Sequence, residues 1–126
     1  MKRCAVMLVR GPGKSYLIGK RRDNGKLTFP AGHLNEGEDP KAGAIRELKE
    51  ETGFDALDVI SKGVFEDRPG VMIYVYEAKV SNKPNLENDP DQEFQSLFYK
   101  DPNSISYNEW HIKPEYNCGL RVIRGK

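Results

Sequence analysis

The chain has 126 residues, an ordinary length for one domain, 1–126, with a core of its own. Its 20 basic and 19 acidic residues leave a net charge of +1, so the chain as a whole has no electrostatic attraction to nucleic acid or membrane, and no long nucleic acid is expected as a partner. No apolar run approaches the roughly 20 residues that span a bilayer. The apolar run at 5–9 is also too short for a signal peptide. We therefore expect a cytoplasmic protein with no membrane partner.

The two cysteines give little indication of a metal site. Cys4 and Cys118 are far apart and form no CxxC pair, so metal binding through thiolates is not expected. Two free thiols fit a reducing compartment.

The N-terminal part contains short apolar runs separated by turn residues, which predicts a series of strands. Residues 4–9 are typical of a buried strand, and residues 16–18 form a second run. The Gly-Pro-Gly sequence at 11–13 predicts a turn between them, so we expect a hairpin. A charged turn at 21–26 and a brief extended piece at 27–30 follow.

The clearest predicted helix covers residues 39–52. Asp39 is a good N-cap, and Pro40 suits the first helical position. Gly53 fits the left-handed residue that follows a helix end.

After this helix we predict strand segments at 54–60, 63–66 and 71–80, followed by a loop at 81–93. An edge strand at 95–99 and a closing helix at 114–124 complete the predicted elements. Residues 104–113 have no assignable pattern. Strands followed by a helix, then strands and a helix again, predict an α+β fold arranged as an α/β/α sandwich.

The predicted helix carries an unusual acidic face. Glu47, Glu50 and Glu51 are spaced i, i+3, i+4 and therefore lie on one side. Like charges at this spacing are destabilising, and the last turn of a helix disfavours anions. Arg46 and Lys49 are too few to neutralise all three carboxylates. A hard divalent cation would do so, and the alternative is a solvated acidic surface.

The residues around this face complete a longer motif, whose defined positions are Gly32, Glu38, Arg46, Glu47, Leu48, Glu50, Glu51, Gly53 and Phe54. It resembles the Nudix box, Gly-x5-Glu-x7-Arg-Glu-apolar-x-Glu-Glu-x-Gly-apolar, at every defined position. Residues 29–33 also resemble the segment that leads into the box, although Ala31 stands where many members have glycine. The resemblance implies a Nudix-like sandwich with a mixed sheet and a catalytic loop-helix-loop. It also implies a metal-dependent hydrolase that cleaves a pyrophosphate bond in a nucleoside diphosphate derivative.

The resemblance also implies roles for the box residues. The implied metal ligands are the carbonyl of Gly32 and the carboxylates of Glu47, Glu50 and Glu51, with Mg²⁺ as the cofactor and Mn²⁺ as a substitute. The implied catalytic residues are Glu47, Arg46 and Glu50. Glu47 positions or deprotonates the attacking water, and Arg46 orients Glu47 through a bidentate contact. Glu38 supports the metal site or its loop and is also a candidate for contacting the substrate, while Gly53 and Phe54 serve the fold.

Family members often take one more carboxylate from a loop after the central strands. The candidates are Glu87, Asp89, Asp91 and Glu93. We favour Glu93 as a metal ligand because of its spacing from the following strand, and the alternative is an acidic surface loop. Arg21 and Arg22, with Lys14, are candidates for neutralising substrate phosphates; solvated turn residues are the alternative.

The box does not define the group attached to the diphosphate. ADP-ribose, dinucleoside polyphosphates and (d)NTPs all fit, and Pro69, 15 residues after Phe54, is a weak indication of ADP-ribose. Aromatic residues that could stack on a base are Phe65, Tyr74, Tyr76 and Trp110, with core packing as the default for each.

Two functions other than hydrolysis of a small-molecule nucleotide remain as alternatives. An inactive Nudix-fold binding module is disfavoured because the glutamates are intact. An RNA 5′-end pyrophosphohydrolase is disfavoured because the net charge is near zero. Family members are commonly dimeric, which leaves a homodimer open.

Overall fold

The protein is described by a computed structural model that covers residues 2–80 and 93–125. The strands in these ranges are β1 (Lys2–Val9), β2 (Tyr16–Arg21), β3 (Leu27–Thr28), β4 (Ala31–His33), β5 (Ala56–Arg68), β6 (Val71–Val80) and β7 (Phe94–Lys100). The α-helices are α1 (Pro40–Thr52) and α2 (Cys118–Ile123), and 3₁₀ turns occur at Pro102–Ser104, Tyr107–Glu109 and Pro114–Tyr116.

The described strands form two sheets. The larger sheet is mixed, with the order β4-β1-β6-β5, and only its β1–β6 pair is parallel. The smaller sheet has the order β3-β2-β7 and is antiparallel. The expected hairpin of the first two strands is wrong. β4 and β6 occupy both edges of β1, so β1 meets β2 only through an isolated bridge between Arg10 and Tyr16.

Both faces of these sheets are buried, which produces the three layers. Successive residues of a strand point to opposite faces. Leu8 and Ile18 accordingly pack in one apolar cluster with Leu120 of α2. Met7 and Leu17 pack in a second cluster with Leu48 of α1, on the other face. The predicted α/β/α sandwich is therefore confirmed.

Helix α1 begins and ends as its sequence predicts. The side chain of Asp39 accepts a hydrogen bond from the backbone N–H of Ala42, and Pro40 is the first helical residue. Gly53 follows the last turn with φ 79°, a left-handed conformation that favours glycine. Phe54 comes next and is almost completely buried in the core.

The strand after α1 is longer and more continuous than predicted. The two expected strand pieces at 54–60 and 63–66 are one strand, β5, because irregularities at Leu57/Ile60 and Ser61/Gly63 bend it without ending it. β7 lies at a sheet edge, as predicted for 95–99. The predicted loop at 81–93 lies outside the described residues except for Glu93.

The expected closing helix at 114–124 is divided in two. A 3₁₀ turn at Pro114–Tyr116 precedes α2, and Asn117 caps α2 by accepting a hydrogen bond from the backbone N–H of Leu120. Gly119 suits this helix because a Cβ there would press against Phe29 and Leu8. Within the described ranges, no helix is long and apolar enough to cross a membrane.

Candidate active site

The centre of the Nudix box brings a backbone segment and a helix into close contact. Gly32 lies in β4 opposite Ala5 of β1, and the Glu47 side chain of α1 packs directly against it. A Cβ at position 32 would overlap the Glu47 carboxylate. Only glycine therefore lets the carbonyl-bearing backbone of β4 approach this carboxylate so closely.

Arg46 connects the acidic side chains of the box. Its guanidinium group donates two hydrogen bonds to Glu38, from Nε at 2.8 Å and from Nη2 at 2.9 Å. Its Nη1 lies 3.1 Å from Glu47 Oε1 and 3.0 Å from Glu50 Oε2. The expected bidentate contact of Arg46 with Glu47 is therefore wrong. The bidentate partner is Glu38, which faces the guanidinium edge from the loop before the helix, whereas Glu47 has a single contact.

The contact between Arg46 and Glu38 ties the β4–α1 loop to the helix. Glu38 also accepts a hydrogen bond from the backbone N–H of Asn35 at 2.9 Å. Arg46 and this N–H together lower the pKa of Glu38 to about 2. Gly43 leaves room for this loop, because a Cβ there would come within 2.9 Å of the Glu38 carboxyl carbon. The Glu38 carboxylate is thus held by protein groups and lies outside the lining of the cleft described below, so its expected substrate contact stays a prediction.

The three helix glutamates differ in burial. The side chain of Glu50 is 45% exposed, that of Glu47 is 19% exposed, and Glu51 as a whole residue is only 4% exposed. Burial raises the pKa of Glu47, and Arg46 opposes this effect. Because an acidic surface run would be solvated throughout, this gradient disfavours the surface alternative. Carboxylates at such depth usually have a charged partner or a metal.

A cleft of about 790 Å³ lies beside this cluster. Its inner end, as we call it, is formed by Gly32, Glu51, Glu93 and Arg21. Glu93 directly precedes β7, and its charge contributes to raising the pKa of Glu47. The structure therefore brings Glu93 to the same region as the box, as expected, while Glu87, Asp89 and Asp91 lie outside the described residues.

The donor set at the inner end suits a hard divalent cation. Glu51 and Glu93 bring carboxylate oxygens to the cleft, and Mg²⁺ prefers oxygen ligands. Within residues 2–80 and 93–125, no group of three or more acidic, histidine or cysteine side chains is already positioned to hold a metal ion. Mg²⁺ commonly binds through one or two protein carboxylates plus water and substrate phosphates. The residues present therefore fit the cation that the box implies.

The two candidate arginines lie in different surroundings. Arg21 lines the inner end, and its guanidinium forms hydrogen bonds of 3.0 and 2.9 Å with the carboxylate of Asp23. Arg22 donates to the carbonyl of Phe94 at 3.4 Å and is absent from the described cleft lining. Lys14 is exposed in the turn after β1.

Of the four aromatic residues singled out for base stacking, two are buried in the core, and Phe65 and Tyr74 are half-buried against it. Trp110 is 1% exposed and packs against Phe29 with ring centroids 5.3 Å apart. Tyr76 is also buried, and the Arg121 guanidinium lies 5.2 Å from the ring centroid of Phe65. The default of core packing is therefore correct for Trp110 and Tyr76.

Sequence reasoning missed the opposite wall of the cleft. This wall comes from the segment before and at the start of α2, and its members are His111, Ile112, Lys113, Tyr116, Asn117 and Cys118. Much of the segment lies in the range that had no assignable pattern. The available signal was Ile112 and Tyr116, two apolar side chains within a polar stretch of sequence.

Comparisons with known proteins agree with this fold. A family model described as the NUDIX domain matches residues 1–117. An RNA pyrophosphohydrolase from Roseobacter denitrificans is 50% identical over 50 residues, which are 38% of this chain and 31% of that protein. An ADP-ribose pyrophosphatase from Bacillus subtilis is 31% identical over 107 residues, or 77% of this chain and 58% of that protein. A solved structure of MutT, described for Aliivibrio salmonicida and Vibrio cholerae, has a TM-score of 0.75 at 18% identity and covers 99% of this chain and 98% of that chain.

The chain belongs to the Nudix family, because the family model covers nearly its whole length. The MutT structure supports the fold alone at its low identity. The chain spans about a third to just over half of the length of the first curated relatives it matches.

Proposed function

We propose that this chain is a divalent-cation-dependent Nudix pyrophosphohydrolase that cleaves a pyrophosphate bond in a nucleoside diphosphate derivative. The observation that carries the proposal is the convergence of Gly32, Glu51 and Glu93 at one end of a nucleotide-sized cleft, with Glu47 packed directly against Gly32. The intact box and the family match support it.

In this proposal the cation ligands come from three parts of the chain, which are β4, α1 and the residue before β7. They are the Gly32 carbonyl and the carboxylates of Glu47, Glu50, Glu51 and Glu93. Bound Mg²⁺, or Mn²⁺ in its place, supplies positive charge that neutralises the diphosphate and lowers the pKa of water. Glu51 is the deepest of these ligands, so we expect its removal to have the largest effect.

The remaining box residues position the reacting groups. Glu47 accepts the proton of the attacking water. Arg46 holds Glu47 and Glu50 in place, and Glu38 fixes the Arg46 guanidinium through its bidentate contact. Arg21 lies at the inner end, where its charge can meet a phosphate oxygen. We now assign Glu38 a positioning role because protein groups already occupy its carboxylate.

Two classes of substrate remain candidates. Small nucleotides, such as ADP-ribose, dinucleoside polyphosphates and (d)NTPs, are the first, and the ADP-ribose pyrophosphatase relative favours them. The 5′ end of RNA is the second, and the RNA pyrophosphohydrolase relative favours it. An inactive binding module is disfavoured because all the box glutamates are present.

The test is release of phosphate or AMP in excess Mg²⁺ from ADP-ribose, diadenosine polyphosphates, (d)NTPs, NADH, FAD and a triphosphorylated RNA. We expect turnover of at least one class, loss of turnover in EDTA, and recovery on adding Mg²⁺. Glu66→Gln, which removes an exposed carboxylate outside the cleft, is the control variant. No turnover of any of these substrates, even with Mn²⁺, would contradict the proposal.

A further inference from the structure

The cleft continues from its inner end along the larger sheet. In β1, Ala5 lies opposite Gly32, whereas Lys2 lies opposite Val71 of β6. Val71 in turn pairs with Arg68 of β5. A strand rises by about 3.3 Å per residue, so Lys2 and Arg68 lie roughly 10 Å along the sheet from the level of Gly32. We call this region, formed by Lys2, Arg68 and Tyr116, the outer end of the cleft.

The outer end carries two cations, Lys2 and Arg68, and the carboxylate of Asp67 also lines the cleft there. The Arg68 side chain is 72% exposed, and its nearest carboxylate oxygen, from Asp67, is 4.0 Å away. A contact of this length at the surface contributes little. Lys2 forms no ion pair with any residue in the described ranges 2–80 and 93–125. Both charges act on the thiol of Cys4, where they oppose the rise in its pKa that burial causes, so both lie near the same part of the cleft floor.

The wall formed by the segment before α2 reaches the outer end at Tyr116 and carries two exposed apolar side chains among polar ones. His111, in the same segment, contacts Asn24 at 3.0 Å. Along this segment Ile112 is 44% exposed and Tyr116 is 63% exposed, although both line the cleft. An exposed aromatic ring in a cleft offers a face on which a base can stack.

The sequence of surfaces along the cleft matches one kind of molecule. An inner end that would hold a cation suits a diphosphate, the exposed side chains of Ile112 and Tyr116 suit a nucleoside, and Lys2 and Arg68 at the outer end suit a further anion. We propose that Lys2 and Arg68 bind a phosphate on the 3′ side of the substrate's nucleoside, so that the preferred substrates are nucleoside 5′-polyphosphates that carry a 3′-phosphate. This inference rests on the proposed function, since the inner end must take the diphosphate.

The test compares two substrates that share the same scissile bond, ATP and adenosine 3′-phosphate 5′-triphosphate. The wild-type chain should favour the 3′-phosphorylated substrate in kcat/KM by about tenfold or more, which corresponds to about 1.4 kcal/mol. In the double variant Lys2→Gln/Arg68→Gln this ratio should fall to about one. Raising the salt concentration should reduce the wild-type ratio, because the groups involved are exposed charges.

The matched control is the double variant Lys62→Gln/Lys79→Gln. It removes two exposed positive charges from the same sheet, at positions outside the cleft lining. This control should keep the wild-type ratio. An equal ratio for the two substrates in the wild-type chain, or a preference that survives in Lys2→Gln/Arg68→Gln, would overturn the proposal. An equal loss in both double variants would overturn it as well.

A binding measurement separates this inference from the proposed function. Calorimetric titration with adenosine 3′,5′-bisphosphate and with AMP needs no turnover. Tighter binding of the bisphosphate, lost in Lys2→Gln/Arg68→Gln, would support the outer site even in a chain that hydrolyses nothing. Equal affinities would overturn it even in an active enzyme.

The 3′-phosphate could belong to a free nucleotide or to the first linkage of an RNA. A third substrate, the 5′-triphosphorylated dinucleotide pppApG, distinguishes these two sources. Turnover equal to that of the 3′-phosphorylated mononucleotide would assign the site to RNA 5′ ends. A large drop relative to that mononucleotide would assign it to free nucleotides with a terminal 3′-phosphate.

Discussion

At the inner end of the cleft the carboxylates of Glu51 and Glu93 are buried or half-buried, whereas the outer end presents exposed cations and an exposed tyrosine. The inner end takes Gly32 and Glu51 from the box, and Arg21 and Glu93 from β2 and the residue before β7. The outer end is assembled from β1, β5 and the segment before α2. One local motif therefore supplies half of the inner end, while the outer end depends entirely on how distant segments meet.

This difference predicts that substitutions at the inner end reduce catalysis, whereas those at the outer end alter the choice of substrate. The largest expected effect is from Glu51→Gln. It keeps the shape of a 4% exposed side chain and removes the charge that would bind the cation, so turnover should fall by several orders of magnitude. The measurement is kcat at saturating Mg²⁺, with the melting temperature as a check on folding. Unchanged turnover would refute the assignment of Glu51 as a ligand.

Gly32→Ala should come next, with a loss of about a hundredfold in kcat/KM. The added methyl group would displace the Glu47 carboxylate, and small misplacements of catalytic groups have effects of this size. A double-mutant cycle with Glu47→Ala, read as melting temperature, identifies the cause. The destabilisation by Gly32→Ala should largely disappear in the Glu47→Ala background, and a loss of the same size there would place the clash elsewhere.

Glu93→Gln tests whether a residue outside the box binds the cation at the inner end. Glu93 lines the cleft with Glu51 but lies outside the box, so we expect a smaller loss of about tenfold to a hundredfold in kcat. The kinetic measurement should include a Mg²⁺ titration, because a ligand's removal also raises the Mg²⁺ concentration needed. If neither kcat nor the Mg²⁺ dependence changes, Glu93 is not a ligand, and the candidates for the carboxylate ligand outside the box are Asp91 and Glu87.

The smallest expected effect is from Tyr116→Ala. Loss of a stacking surface should raise KM by about tenfold while kcat changes little. Tyr107→Ala is the control, because Tyr107 is similarly exposed and does not line the cleft. A fall in kcat without a change in KM would show that Tyr116 acts on the inner end. It would contradict the distinction between a catalytic inner end and a substrate-selecting outer end.

The sequence predictions were accurate where neighbouring residues determine the structure and failed where distant segments determine it. The limits of α1 were predictable because Asp39, Pro40 and Gly53 act locally, each through its own backbone geometry. The hairpin prediction failed because whether β1 pairs with β2 or with β6 is decided by long-range packing. The same limit applies to β5, whose bulges resemble breaks when only its own residues are considered.

Within the site, residue types were predictable and their partners were not. The box identified Arg46 and the glutamates, yet the bidentate partner of Arg46 is Glu38, because the loop before α1 turns back onto the helix. Lys2 and Arg68 gave no local signal, since a surface lysine and a surface arginine 66 positions apart become neighbours only through the β1–β6–β5 register.

The most direct measurement of the central claim is Mn²⁺ binding to the free chain, followed by electron paramagnetic resonance, for the wild type, Glu51→Gln and the control Glu66→Gln. Our account predicts that the wild type and Glu66→Gln bind Mn²⁺ alike and that Glu51→Gln binds at least about tenfold more weakly. Equal binding by all three chains would contradict a cation site at the inner end of the cleft.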